Sequence, residues 1–139
     1  MASLIFNSWM DDVSNGNVKA TDTFYGMLVD STYTPNKDTH TKRSDVTGEI
    51  AGTGYTAGGA VTACTPSLDT SVDQELWTFA DIAWAAATIT NARAVVVYKH
   101  RGGAASADEL VFYGDFGANQ SSVAATFTAH FTSALIIQN

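Results

Sequence analysis

The most constraining pattern in this chain lies near its C-terminus, where Ala125, Phe127, Ala129 and Phe131 alternate with Thr126, Thr128, His130 and Thr132. A period of two is the side-chain period of a β-strand, so one face of this segment belongs to a core and the other to water. Residues 23–29 are apolar on both faces, as an inner strand must be, and residues 92–99 form a second such run. Arg101-Gly102-Gly103 turns that run back into residues 109–116. Residues 60–64 read as a strand of small side chains, while 75–80 and 81–86 bring Trp77 and Trp84 into one stretch. Runs rich in Val, Thr, Phe and Tyr, punctuated by Gly, Asn, Asp and Ser, predict roughly seven or eight short strands. The expected fold is all-β, a β-sandwich of jelly-roll-like type in a single domain over residues 1–139, since 139 residues suit one core.

Two segments depart from this pattern. Phe6, Trp9, Met10 and Val13 fall at i, i+3, i+4 and i+7, which predicts a short N-terminal helix within residues 1–16. Asn7 or Ser8 is placed to cap it, Asp11 and Asp12 to meet its positive end, and Asn15-Gly16 to end it. Its apolar stripe is expected to cover an open end or edge of a sheet. Residues 30–55 lose the strand period and form a long polar loop, with a helical hint at 42–46. An excursion of this length is expected to contact a partner or to hold a helical turn. The glycines at 52, 54, 58 and 59 surround Tyr55 without a following Gly-Lys-Ser/Thr, so they serve turns and close backbone approach rather than a phosphate. Tyr55 is expected to anchor this loop to the core.

Seven Lys and Arg face fourteen Asp and Glu, a formal net charge of -7, which excludes the basic face that nucleic acid requires. Only 15% of residues are charged, against about 25% in ordinary domains, so the surface is weakly solvated and suited to being covered. The lone Cys64 forms no internal disulfide. Residues 1–6 lack the basic flank and apolar run of a signal peptide, and the most apolar stretches, 82–89 and 92–98, are too short to span a bilayer, so no membrane association is expected. His40, His100 and His130 show no metal-ligand spacing, and Asp69, Asp73 and Glu75 lack the pattern of a calcium loop. Asp115 and His130 have no serine elbow to serve, and adjacent Asp11 and Asp12 splay apart on a helix. Catalytic residues, metal and cofactor are therefore all expected to be absent.

Residues 22–29 (DTFYGMLV), 33–40 (YTPNKDTH) and 52–59 (GTGYTAGG), followed by 84–90, 94–98 and 113–117, together span most of the chain. This arrangement resembles small structural proteins encoded among the virion genes of tailed bacteriophages. The resemblance implies a non-enzymatic protein of the virion exterior, made in the host cytoplasm, and most directly a capsid decoration or cement protein. Its implied partners are the major capsid protein and sister subunits in a dimer or trimer. A tail or head-fibre component is the alternative within that group. A β-sandwich adhesin or carbohydrate-binding module, stacking sugars on Trp77, Trp84 or Tyr55, is the alternative outside it. The candidate contact residues for the shell or a sister subunit are Phe6, Trp9 and Met10 in the N-terminal segment, Lys37, His40, Lys42, Arg43 and Tyr55 in the long loop, and Arg101, with Arg43 and Arg101 as charged anchors.

Overall fold

The computed structural model describes residues 2–138. Its eight strands lie in two antiparallel sheets, an all-β sandwich-like fold with one short helix. The larger sheet has the order β1(Ala2–Ile5), β7(Leu110–Ala129), β6(Ile82–Lys99), β2(Phe24–Val29), β3(Ala60–Thr62). The smaller has the order β4(Cys64–Asp69), β5(Gln74–Phe79), β8(Leu135–Gln138). The division is five and three, and the longest pairing joins consecutive strands β6 and β7.

The two apolar runs foreseen as inner strands sit side by side. β2 pairs along its whole length with residues 94–99 of β6, and both faces of this pair are covered. On one face Met27, Val29, Ala94, Val96, Tyr98 and Leu110 pack beneath Tyr33 and Val46 of the long loop. On the other, Phe24, Val97, Val111 and Phe112 meet Trp77, Phe79 and Leu135 of the smaller sheet and Trp9 of the helix. Alternate side chains of one strand thus feed two different cores.

The β6–β7 hairpin extends beyond β2 into a half of its own. There Ile82, Trp84, Ala87, Ile89, Phe127 and Ala129 build a third cluster with Leu28, Ile50 and Val95. Successive register shifts bend this half, and Ala86, Asn91 and Ala124, with φ of 48°, 57° and 45°, each occupy one of them. An extra residue in the left-handed region is what a β-bulge inserts, and the added twist lets the ribbon curl around its aromatic filling. Ala125, foreseen on the core face, is exposed beside the Ala124 bulge, whereas Phe127 and Ala129 are buried.

Three local expectations change. Residues 2–5, foreseen as part of the helical segment, form strand β1 against β7, and the helix α1 runs Asn7–Ser14. Its N-cap is Phe6 rather than Asn7 or Ser8, without a side-chain cap, and no acidic residue lies in the first turn, so Asp11 and Asp12 do not meet the positive end. Gly16, at φ 75°, follows the C-cap Asn15 as foreseen. Residues 60–64 do not form one strand; they part at Ala63, where the Ala80 N–H donates to the Ala63 carbonyl and the chain passes from one sheet to the other. Among the described residues no helix is long and apolar enough to cross a membrane.

Candidate functional site

The long loop carries most of the foreseen contact residues, and the fold lays it across the larger sheet. The 42–46 hint becomes a 3-10 turn at Arg43–Asp45. Isolated bridges, Val29 to Glu49 and Lys42 to Glu109, stitch the loop to the sheet. The Asp45 carboxylate accepts the backbone N–H groups of Thr41 and Lys42, which hold its pKa below the usual carboxylate range.

Beneath this turn lies a buried charge network. Asp108 is fully buried and accepts Arg43 Nε at 2.8 Å and the Arg101 backbone N–H at 2.9 Å. Arg43 also lies over the Tyr98 ring, 5.0 Å from its centroid. Glu109, almost as buried, takes a forked pair from Arg101 Nε and Nη2, at 2.9 and 2.7 Å, with Lys42 Nζ at 3.3 Å. Burial alone would raise the Glu109 pKa; the hydrogen bonds from Arg101 and the charges of Lys42 and Arg101 outweigh it and bring the net shift downward.

Tyr55 fills the role expected of it. Its hydroxyl accepts the Leu28 N–H at 3.0 Å and donates to Glu49 Oε1 at 2.8 Å, while Glu49 also takes the Gly58 N–H. Burial and the facing Glu49 carboxylate push its pKa up. The Tyr98 hydroxyl donates to the Gly58 carbonyl at 2.6 Å; burial raises its pKa to about 12, so it stays a donor. The glycines beside these tyrosines are required by backbone proximity. A Cβ at Gly52 would meet the Thr88 carbonyl, and one at Gly59 would overlap the Gly26 carbonyl, with Gly59 also at φ 81°.

The foreseen contact residues therefore divide. Phe6 and Trp9 are 0% and 2% exposed and belong to the subunit's own cores, whereas Met10, 58% exposed, is the part of the helical stripe left open. Arg43 and Arg101, foreseen as anchors for a partner, hold Asp108 and Glu109 of the same chain. Lys42 joins Glu109, Lys37 pairs with Asp38, and His40 stacks on Tyr33, with its Nδ1 3.0 Å from the Tyr33 hydroxyl. Arg93 and Lys99 pair with Asp115 and Asp22, so six of the seven Lys and Arg side chains are engaged within the chain. His130 and Asp115 do not come together: His130 Nδ1 lies 2.6 Å from Asp81, and Asp115 is held by Arg93. Among the described residues no group of three or more His, Cys, Asp or Glu could hold a metal ion.

Sequence reasoning missed an apolar opening. A cleft of about 580 Å³ lies between the end of β1, the outer side of α1 and strand β8, lined by Ile5, Trp9, Met10, Val13, Ile136 and Ile137 with Asn7, Ser14 and Gln138. None of these residues is charged. The signal was the run Leu135-Ile136-Ile137, too short to distinguish from an ordinary buried strand. What the fold and this surface define is a small two-sheet β-domain with most of its cations ion-paired within the chain and an uncharged apolar cleft at one edge. In comparisons with known proteins, no family model, no curated protein and no solved structure matches the chain.

Proposed function

We propose that this chain is a non-enzymatic structural protein of a tailed-phage virion, acting as a decoration or cement protein on the outer surface of the head and contacting the major capsid protein. The observation that carries the reading is the internal engagement of six of the seven cationic side chains. Among the described Lys and Arg residues only Lys19 lacks an ion pair, so the exposed surface carries a net acidic and otherwise neutralised charge, which packaged DNA repels and which neighbouring protein subunits can cover. Weak contacts of this kind become useful when many copies act together on a lattice. The three tryptophans supply no open stacking face, being 2%, 4% and 5% exposed at Trp9, Trp77 and Trp84, which counts against a sugar-binding module built on them.

Quantitative mass spectrometry of purified virions tests the proposal. A copy number comparable to that of the major capsid protein is expected. A handful of copies per particle would transfer the protein to the tail or a head fibre, and absence from virions would overturn the reading.

A further inference from the structure

We infer that the chain associates with a second copy of itself by antiparallel pairing of β8 with β8, joining two three-stranded sheets into one of six strands and closing the apolar cleft at α1. This inference concerns the purified subunit and stands whether or not the virion assignment does.

Strand β8 bonds to β5 on one side and has no strand on the other among the described residues. Such an edge is ordinarily protected by charge, proline or a bulge. The opposite edge of the same sheet carries both Pro66 and Asp69 in β4; β8 reads Leu135-Ile136-Ile137-Gln138 and carries neither. Four of the seven large apolar side chains left exposed lie around it. Met10, Ile136 and Ile137 line the cleft, and Leu68 shares an adjoining depression with Ile137.

Two arguments select a second copy as the occupant. The first is register. A two-fold axis through Ile136 sets Ile136 opposite its own counterpart on one face and Leu135 opposite Ile137 on the other, so each of these pairs is apolar. The second is charge. At a net charge of -7 two copies repel, and their approach is least opposed where the surface has no charge, which is the lining of this cleft. Asp73 and Glu75 stand around the adjoining depression, so added salt should strengthen the association rather than weaken it.

Sedimentation equilibrium of the full chain at low and high salt is the first measurement. The expected result is a monomer–dimer equilibrium shifted toward dimer by salt. Ile136→Lys, at a half-exposed position, should remain folded by circular dichroism and become monomeric. A second variant does not depend on that substitution being tolerated: Ile136→Cys in a Cys64→Ser background. Opposed residues of an antiparallel pair lie about 4.5–5.5 Å apart between Cα atoms, within the span of a disulfide. Air oxidation should therefore cross-link this variant into dimers, while Val123→Cys in the same background, at a highly exposed position far along the β6–β7 ribbon, should not. A monomer at both salt concentrations overturns the inference, and so does a dimer that fails to cross-link through position 136. A monomer that is nevertheless found in virions would leave the proposed function in place while removing this interface.

Discussion

Gly59 and Gly102 share a backbone φ of 81° but not their surroundings. At Gly102 nothing lies within 4 Å of an added Cβ, so Gly102→Ala meets only the left-handed strain, about 1 kcal/mol. At Gly59 the added atom would overlap the Gly26 carbonyl and crowd Met27, both in the inner strand β2, so the loop would have to lift from the sheet. Gly59→Ala is expected to cost several times more than Gly102→Ala, read as the difference in urea unfolding midpoint. The sequence shows both as loop glycines, and only the contact with β2 separates them.

At the scale of elements, the loop of residues 30–59 is held less by its own regularity than by what it caps. Arg43 is the pivot, pairing with Asp108 and lying over Tyr98. Replacing it with Met keeps some of the packing but leaves a fully buried carboxylate with only the Arg101 N–H as a partner. Arg43→Met should destabilise by about 3–5 kcal/mol, measured by urea denaturation, because an uncompensated buried charge is worse than no pair at all. Adding Asp108→Leu to that variant should recover part of the loss. The sequence reading assigned Arg43 and Arg101 to a partner because a single chain shows charged residues in a polar stretch without showing what they face. Asp108 and Glu109 lie 65 and 8 residues away from them; the β6–β7 turn joins Arg101 to the two carboxylates, and the loop's bridge at Lys42–Glu109 brings Arg43 to them.

For the molecule as a whole, the carboxylates set the response to acid. Asp45, Asp81, Asp115 and Glu109 all have folded-state pKa values below their ordinary ones. Backbone N–H groups hold down Asp45 and, with His130, Asp81; the guanidinium of Arg93 holds down Asp115; and Arg101 and Lys42 overcome the burial of Glu109. A depressed folded pKa stabilises the native state fully above the unfolded value and is lost as pH falls through the folded one. Stability should therefore be flat with respect to these groups from pH 7 to about pH 5 and fall steeply below about pH 4, in the ordinary carboxylate range. Thermal unfolding across this range checks the sign: a decline beginning above pH 6 would mean that other groups dominate.

The sequence by itself determined the class of fold and the places where it breaks. Alternation at 125–131, apolar runs at 23–29 and 92–99, and a 3.6-residue stripe at 6–13 are local patterns, and each demands a particular covering before any partner element is known. Tertiary structure decided which covering each received. Phe6 and Trp9 went into cores, Met10 and Ile136 stayed outside, most cations paired with carboxylates of the same chain, and β8 was left as an edge. The physical reason is that β-pairing and ion pairing join residues far apart in the chain. Their energies depend on register, bulges and the point at which the chain changes sheets, and none of these is written in the periodicity of any one segment.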